Sequence, residues 1–395
     1  MNGSIRSKVI VTILPVVLVV FVAAIAIASR MSAASEQQLA YTQMQETARH
    51  YASQFDTQLR AHQAAAQTLG RTMEATTTED RSEIENILHQ ILINDPTILA
   101  TYVGYEPNAY DGQDAKWVNK PGHDATGRFI PYWNRLTGTE KLDPLVDYDT
   151  SDYYLLPKKT QTFQVIEPYL YQGVLMASYI APIMRNGQFV GIAGEDVSLN
   201  ALNDTISQIK AFDTGYAFLV SHSGIFVAYK NKDLIGTKTL TDYASQVNNP
   251  AFAELAKSVA SGQEGYLATT DPLTGKNVVM FYTPVSTGDW SLVMVVPTAE
   301  MLADSTRLTT TLVGVGVAGL VIIAILIVFL ATLLTRPIVR LRGAVEQIAA
   351  GDLDVQLSVG SRDEIGQMSS AFGRMLSYLR DMAATARRVA DGNLT

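Results

Sequence analysis

The sequence predicts an α+β protein that is anchored in a membrane by two helices and continues into a helical coiled coil. The first observation is a pair of uncharged apolar runs, residues 9–29 and 308–334, each as long as the roughly 18–20 residues that cross a bilayer. Between them, a long helical pattern precedes two successive groups of strand-like segments. After the second run, apolar residues recur at coiled-coil spacing.

The charges that flank the two apolar runs predict their orientation. Arg6 and Lys8 precede the first run, and Arg336, Arg340 and Arg342 follow the second. Because cationic residues are retained on the cytoplasmic side of a membrane, both flanking segments are expected inside the cell. We therefore predict a multi-pass protein of the inner (plasma) membrane, whose large middle segment is periplasmic or extracellular.

A cleaved signal peptide is the alternative interpretation of the first run. Its end, at residues 26–29, resembles a small-residue cleavage site. The run is longer than the usual apolar core of such signals, which has roughly 7–15 residues. This length favours a membrane anchor.

The composition excludes several kinds of chemistry. The sequence contains no cysteine, which rules out disulfides, thiolate catalysis and cysteine-type zinc sites. Its histidines show no pair at helical metal-ligand spacing, and the nucleophile-elbow, phosphate-loop and dinucleotide-loop motifs are absent. We therefore predict no enzyme activity, no catalytic residue, no metal site and no cofactor. The net charge is −8, with its acidic excess in the middle segment, which argues against nucleic acid and anionic lipid as partners of that segment.

The first part of the middle segment is predicted to be helical and then β-rich. Apolar residues at steps of three, four or seven predict one long helix over 38–76, and a second helix is predicted over 78–92. The stretch 106–159 is rich in Gly, Asp, Pro, Tyr and Trp, and so long a stretch without regular structure is usually functional or misassigned. β-branched and aromatic residues predict strands at 99–105, 165–166, 175–183 and 189–193.

A second αβ group follows the first. The segment from Tyr179 to Gly187 resembles the segment from Tyr282 to Gly288, which supports two units in tandem. The predicted helices lie at 199–209 and 243–260. The predicted strands lie at 216–220, 224–229, 265–267, 277–282 and 290–296.

The order of membrane span, long helix, two αβ groups and membrane span resembles a double Cache extracellular sensor, in which two PAS-like units share a long N-terminal helix. Residues 187–197, which include the run Gly-Glu-Asp196, are similar to the end of the membrane-distal unit. Residues 215–236 resemble the start of the membrane-proximal unit, and residues 288–293 resemble its last strand. The resemblance implies an α+β ligand sensor outside the membrane.

The segment after the second apolar run carries two apolar seams joined by a connector. Such seams cannot bury themselves in one chain, so they predict a parallel four-helix coiled coil from two chains and hence a homodimer. The order of Pro337, Gly-Asp-Leu353 and Asp-Glu-Ile-Gly366 resembles a HAMP domain. The seam residues are Ile338, Leu341, Val345 and Ile348, then Ile365, Met368, Phe372, Met375 and Leu379, and the apolar connector residues are Leu353, Val355, Leu357 and Val359.

The last residues repeat an earlier pattern, since 345–353 recurs in altered form as 386–394. A second HAMP-like unit or a signalling helix is therefore expected to begin there, with an output module beyond it. The predicted division is a cytoplasmic N-terminus at 1–8, a transmembrane helix at 9–29, a double Cache sensor at 30–307 with distal and proximal units at about 77–198 and 199–300, a transmembrane helix at 308–334, HAMP at 335–382, and the further unit at 383–395.

The ligand is expected in the distal unit, as the resemblance to double Cache sensors implies. In amino-acid-binding relatives, an Arg-x-Trp-Tyr run, a later tyrosine and a strand-end aspartate hold the ligand; here Ile130 stands where the carboxylate-binding arginine would be. Aromatic faces beside a carboxylate suit an ammonium group, whereas core packing is the alternative role for the same aromatic residues. The predicted ligand-binding residues are Arg128, Tyr132, Trp133, Tyr153, Tyr154, Tyr169 and Asp196.

These features together resemble a bacterial or archaeal transmembrane chemoreceptor of the methyl-accepting type. The implied function is binding of a small extracellular ligand, with an amino acid or amine favoured, and relay through HAMP to cytoplasmic signalling proteins. The sensor part of a histidine kinase or of a cyclic-di-nucleotide enzyme is the alternative. A solute-binding or adhesive ectodomain would not need the HAMP seams.

Overall fold

A computed structural model of the chain describes residues 5–356 and 363–390. The chain forms two compact units. One is Glu36–Ala303, and the other combines Met1–Ser35 with Asp304–Thr395. The first unit contains both β-sheets, and the second is helical wherever regular structure is described.

Two helices open the chain, as the apolar periodicity predicts. Helix α1, Ile5–Ala75, includes the first apolar run and continues without a break through the predicted helix. Helix α2, Arg81–Asn94, begins three residues later than predicted because Asp80 is its N-cap and accepts a hydrogen bond from the backbone N–H of Ser82.

The distal part of the first unit is a seven-stranded antiparallel sheet. Its strand order is β3-β2-β1-β7-β6-β4, and β5 pairs with β6. The central hairpin of β6 and β7 turns at Asn186 and Gly187, which both have positive φ angles, 52° and 73°, as a two-residue hairpin turn requires. The strands are β1 Ile98–Tyr105, β2 Pro131–Asn134, β3 Lys141–Pro144, β4 Gln164–Val165, β5 Tyr169–Tyr171, β6 Val174–Arg185 and β7 Gln188–Ser198.

The stretch 106–159, which lacks a predicted element, contains β2, β3 and most of helix α3, Asp152–Thr160. The two strands are only four residues long and each contains proline, and α3 has Pro157 in its interior. Because proline opposes both kinds of regular structure, these short elements give weak sequence signals.

The proximal part is a five-stranded antiparallel sheet in the order β10-β11-β12-β8-β9. The predicted helix at 243–260 is wrong as one element, because Asn248 has a φ of 50° and Asn249 caps a new helix that starts with Pro250. The elements are α4 Leu199–Ser207, β8 Tyr216–Val220, β9 Phe226–Ala228, α5 Leu240–Gln246, α6 Pro250–Ala260, β10 Gly265–Thr270, β11 Asn277–Val285, β12 Trp290–Pro297 and α7 Thr298–Met301.

Each face of the distal sheet is covered by different residues. One face packs Val103 and Ile183 against Leu69 and Met73 of α1 and Leu88 of α2. The opposite face carries a separate cluster that is dominated by tyrosines. The proximal sheet and the middle of α1 form the largest apolar core, so α1 contacts both sheets of this unit.

The second unit contains the second apolar run in helix α8, Ala303–Ala349, and continues with α9, Glu364–Ala390. Helices α1 and α8 are long and apolar enough to cross a membrane. Pro337 lies inside α8, where it costs one backbone hydrogen bond without ending the helix. The expectation that a separate helix begins at Pro337 is therefore wrong. The connector residues Leu357 and Val359 lie outside the described residues, as do positions 391–394 of the predicted repeat.

Gly191 lies where β7 and β1 approach each other closely. A Cβ atom at this position would lie 2.5 Å from the carbonyl oxygen of Gly104 and 2.9 Å from the Cα atom of Tyr105. Because backbone atoms cannot move aside as a flexible side chain can, Gly191→Ala should destabilise the segment 36–303 by about 1–3 kcal/mol in urea unfolding.

The matched substitution is Ala268→Val, which adds volume on an exposed position of β10. Its free energy of unfolding should change by less than about 0.5 kcal/mol. Equal effects of the two substitutions would contradict the close approach at Gly191.

Candidate ligand-binding site

Four neighbouring strands of the distal sheet present side chains to one face. Ser178 of β6 lies opposite Asp196 of β7, which in turn lies opposite Ala100 of β1. Tyr102 of β1 lies opposite Tyr132 of β2. Directly opposed residues share a face of a sheet, and so do residues two apart on one strand. The strand register therefore brings these five residues to one patch.

The carboxylate of Asp196 is the centre of this patch. It is 1% exposed, and the Ser178 hydroxyl donates to its Oδ1 at 2.5 Å while the Tyr132 hydroxyl donates to its Oδ2 at 2.8 Å. The Tyr169 hydroxyl lies 2.8 Å from the Ser178 hydroxyl. Among the described residues, no lysine, arginine or histidine forms an ion pair with Asp196. The carboxylate thus has hydrogen-bond donors but no counter-charge.

Burial raises the pKa of Asp196 to about 6, and the hydrogen bonds from Ser178 and Tyr132 limit this rise. The cause is desolvation, since an ionised carboxylate without a cationic neighbour is poorly stabilised away from water. A bound cation would supply the missing charge.

Five tyrosine rings surround this carboxylate, and we call them the tyrosine cluster. Tyr153 comes from α3, and Tyr169 and Tyr171 come from β5. Neighbouring rings in the cluster are separated by 5.3 to 6.4 Å between centroids. The cluster therefore presents several aromatic faces and edges around one buried anion. Its members are Tyr102, Tyr132, Tyr153, Tyr169 and Tyr171.

Local hydrogen bonds fix the outer rings of the tyrosine cluster. The Tyr153 hydroxyl donates to the carbonyl of Val146 at 2.5 Å, and the backbone N–H of Val146 donates to the Tyr171 hydroxyl at 3.0 Å. Gly194 makes room for Tyr102, because a Cβ atom there would lie 2.7 Å from the Tyr102 hydroxyl. One loop residue and one glycine thus hold three of the rings in place.

The described contacts of Arg128 are with groups other than Asp196. The Arg128 guanidinium lies 4.3 and 4.9 Å from the ring centroids of Tyr148 and Tyr154, donates a hydrogen bond to the Tyr154 hydroxyl, and lies 3.6 Å from the carboxylate of Glu106. Lys158 pairs with the same carboxylate at 2.8 Å. Arg128 and Lys158 therefore share the single carboxylate of Glu106, and none of these contacts involves Asp196.

Trp133 lies on the opposite face of the sheet from Tyr132. Its ring stacks on His89 of α2 with 4.0 Å between centroids. The reason is the two-residue alternation of side chains along β2. Ile130 is fully buried beside the tyrosine cluster. Of the predicted site residues, the structure therefore brings together Tyr132, Tyr153, Tyr169 and Asp196. Tyr154 packs in the same buried cluster, but its hydroxyl bonds to Arg128 and Glu106. Trp133 lies on the opposite face of the sheet.

Three residues around Asp196 were not predicted from the sequence, namely Ser178, Tyr102 and Tyr171. Ser178 and Tyr102 lie in segments correctly predicted as strands, where alternation could have placed each on a face. Only the pairing of β6 with β7 and of β7 with β1 shows that these faces meet at Asp196. Tyr171 follows Tyr169 by two residues, so it could have been selected with Tyr169 as a residue of the same face.

The other face of β7 connects this site to helix α1. Glu195 precedes Asp196, and its Oε1 lies 2.6 Å from Nδ1 of His62 on α1. The side chains of Glu195 and His62 are only 4% and 14% exposed. Burial raises the pKa of Glu195, and the hydrogen bond with His62 opposes this rise. Adjacent residues of one strand thus contact the tyrosine cluster on one face and the long helix on the other.

Two known domain families match this chain. The Cache domain model matches residues 32–305, which is more than half of the chain. The chain belongs to the Cache domain family. The HAMP domain model matches residues 329–381. The chain therefore combines a Cache domain with a HAMP domain, and its α+β double Cache fold agrees with the sequence prediction.

Curated relatives of this Cache protein are chemotaxis receptors. Methyl-accepting chemotaxis protein TlpQ of Pseudomonas aeruginosa is 26% identical over 348 residues, covering 78% of this chain and 48% of the relative. PctB of the same organism is 28% identical, covering 82% and 46%. Transducer protein BasT of Halobacterium salinarum is 32% identical over 46% of this chain and 22% of its own length. The chain thus spans half or less of the length of these relatives.

Solved structures include sensors of two receptor classes. The extracellular domain of the putative histidine kinase mmHK1S-Z3 is 47% identical, with a TM-score of 0.65, and the match covers 68% of this chain and 98% of that domain. Methyl-accepting chemotaxis protein X is 27% identical, with a TM-score of 0.57, and the match covers 66% and 98%.

The raised pKa of Asp196 predicts a specific pH dependence of stability. Its folded pKa of about 6 exceeds the ordinary value of 3.8, so the unfolded chain loses its proton first as pH rises. The contribution of Asp196 to stability is therefore lost between about pH 4 and pH 6, on the order of 3 kcal/mol in total.

Asp196→Asn removes this titration and keeps an acceptor oxygen for one of the two hydroxyl donors, Ser178 or Tyr132. In urea unfolding of the segment 36–303, the variant should gain stability relative to the wild type as pH rises from 4.5 to 7.5. A stability difference between the two proteins that does not change with pH would contradict the buried, uncompensated carboxylate.

Proposed function

We propose that this chain is the sensor and relay part of a homodimeric transmembrane receptor that binds a small organic cation or zwitterion outside the cell. An amino acid or an amine is the favoured ligand class. The observation that carries the proposal is the buried Asp196 carboxylate, which has no cationic partner among the described residues and lies within the tyrosine cluster. The ligand ammonium group takes the place of that partner.

The chemistry of the tyrosine cluster supports an ammonium group. A cation over an aromatic face gains about 0.5–2 kcal/mol, with the larger values in desolvated sites. Burial raises the pKa of Tyr171 to about 12, so its ring stays neutral at pH 7. Asp196 accepts charge-assisted hydrogen bonds from the ammonium and becomes fully ionised in its presence.

The same residues discriminate against anionic ligands. A carboxylate close to Asp196 would be repelled. Ile130 carries no charge, and the Arg128 guanidinium makes its contacts with Tyr154 and Glu106 and not with Asp196. An α-carboxylate of an amino acid would therefore rely on a hydroxyl donor such as Tyr102, whose hydroxyl has no hydrogen-bond partner among the described residues. This arrangement favours amines over amino acids with a second negative charge.

Chemotaxis is the output that we propose for the complete receptor. The curated relatives are methyl-accepting chemotaxis proteins and a transducer protein. A histidine kinase is the second candidate, and it is favoured by the 47% identity with the extracellular domain of a putative histidine kinase. The adjoining coding sequence distinguishes them, since a long heptad hairpin indicates chemotaxis and a histidine-bearing helix followed by an ATP-binding lobe indicates a kinase.

The proposed topology places the sensor outside and the HAMP segment inside. The apolar runs at 9–29 and 308–334 are the membrane spans, with 30–307 as the sensor and 335–382 as HAMP. The flanking Arg6, Arg336 and Arg340 support this orientation. Signalling proteins of the cytoplasm are the expected partners of the output that follows.

Dimerisation through the HAMP segment is supported by the exposed seam residues. Leu341 and Ile348 of α8 and Leu376 of α9 are buried within one chain, but Met368 and Met375 of α9 are 42% and 41% exposed. Methionine side chains at coiled-coil positions need a covering surface. A second copy of the chain provides it in our proposal.

A ligand screen on the segment 36–303 tests the binding proposal. An amine or amino acid present at 100 times its dissociation constant should stabilise the segment by about 2.7 kcal/mol, which a thermal-shift assay detects. The affinity should fall as pH drops below about 6, since Asp196 then gains a proton. Asp196→Asn should abolish the shift.

Glu195→Gln is the matched control for Asp196→Asn, because it removes one carboxylate from the adjacent residue on the opposite face. It should change the ligand affinity far less than Asp196→Asn does, because Glu195 contacts His62 of α1 and not the tyrosine cluster. Stabilisation by dicarboxylates but not by amines or amino acids would contradict the ligand class, and loss of binding in both variants would contradict the specific role of Asp196.

Disulfide cross-linking tests the homodimer. Cysteines introduced along the α9 seam of the full chain should cross-link between chains in membranes, and Ile348→Asp with Phe372→Asp should abolish this by placing charges in the seam. Val339→Asp is the matched control, since Val339 is 57% exposed and outside the seam. Cross-linking that survives the seam substitutions would contradict the coiled coil.

A further inference from the structure

The helical unit contains a cavity of about 830 Å³ next to the end of the second apolar run. Its lining changes character along α8. Ile325, Phe329 and Leu333 form an apolar part, while Arg336 and Arg340 form a cationic part. These positions recur at steps of three or four, so they occupy one face of the helix. Arg6 of α1 adds a third guanidinium to the cationic part.

These three arginines have no anionic partner among the described residues. None of them forms an ion pair with a carboxylate in the part of the chain that the structure describes. Arg342 on the same helix differs, because its guanidinium pairs with Glu346 at 2.8 Å. Three guanidinium groups around one cavity repel each other unless an anion joins them. The cavity therefore combines an unbalanced positive charge with an apolar wall.

We propose that this cavity binds an anionic phospholipid of the cytoplasmic leaflet. The lipid phosphate is held by Arg6, Arg336 and Arg340, and an acyl chain lies along Ile325, Phe329 and Leu333. Arginine suits this role because its planar guanidinium donates two parallel hydrogen bonds to phosphate oxygens. The proposal rests on the membrane orientation proposed above but not on the identity of the extracellular ligand.

The position of the cavity argues for a lipid over a soluble anion. Its apolar residues belong to the run at 308–334, which is long enough to lie in the hydrocarbon part of a bilayer. A soluble phosphate would leave this wall uncovered, whereas a phospholipid satisfies both parts at once. Basic residues at the cytoplasmic end of membrane helices attract anionic head groups in general, and the acidic excess of this chain lies in a different segment, 30–307.

The site also has a consequence for signalling. Arg336 and Arg340 flank Pro337, at the junction of the apolar run and the HAMP segment. A head group that holds both arginines restrains the helix at this junction. Lipid composition would thus bias the relay without any change in the sensor.

Fluorescence quenching by brominated lipids tests this proposal on the full chain. Phe329→Trp places a reporter in the apolar wall, whereas the native Trp117, Trp133 and Trp290 lie in the other unit. The protein is reconstituted in vesicles of brominated phosphatidylglycerol or brominated phosphatidylcholine mixed with unlabelled lipid. We expect the relative affinity for phosphatidylglycerol to exceed that for phosphatidylcholine by about fivefold or more.

Arg336→Gln combined with Arg340→Gln should reduce this preference to near unity. Arg336→Gln and Arg340→Gln are also measured singly, and each should lower the preference. Arg342→Gln is the matched control for these single variants, because it removes one positive charge from the same helix outside the cavity, and it should retain the preference. Raising the salt concentration should weaken the preference only partly, since the arginines are close to the bound phosphate.

Three outcomes would overturn the proposal. Equal quenching by both lipids shows that the cavity does not select anionic lipid. An equal loss of the phosphatidylglycerol preference in Arg342→Gln shows that the anionic lipid is attracted by the general surface charge and not by the cavity. No quenching by either lipid shows that protein, such as a second copy of the chain, covers this face. The thermal shift that an amine or amino acid causes through Asp196 is measured on the same vesicle samples. It reports the proposed sensing function independently of the lipid preference.

Discussion

The Asp196 carboxylate, buried among hydroxyl groups without a cationic side chain, is the constraint around which the distal unit is organised. Keeping such a charge away from water is costly, and the neighbouring strands reduce this cost with hydrogen bonds from Ser178 and Tyr132. Those donors depend on the register of β2, β1, β7 and β6. Gly191 and Gly194 in turn allow β7 to accept its neighbours at that register.

The proximal unit shows how a buried aspartate behaves when it has a structural role. Asp271 is 2% exposed, but it accepts hydrogen bonds from Tyr216 at 3.0 Å, from Thr274 at 2.7 Å and from the backbone of Leu273 at 3.2 Å. It therefore fixes the turn between β10 and β11. Asp196 lies within a strand and has only side-chain donors, which leaves its charge available to a ligand.

The sequence predicted the architecture because its signals are long and periodic. The apolar runs, the helical repeat of α1 and the β-branched segments each extend over many residues. The site was only partly predictable. Asp196 and Tyr132 were selected from their motif, but the faces of Trp133 and Ser178 depend on register, which no short pattern specifies. The contact of Arg128 with Glu106 could not be predicted, because the two residues are far apart in sequence.

The position of Glu195 next to Asp196 couples the candidate binding site to helix α1. A ligand that neutralises Asp196 changes the electrostatic environment of Glu195, and Glu195 contacts His62 on α1. Thermodynamic linkage is reciprocal, so anything that alters the His62–Glu195 contact from the helix side alters ligand affinity by the same factor. Through this pair, a displacement of α1 that breaks the His62–Glu195 contact would change how strongly the distal site holds a cation.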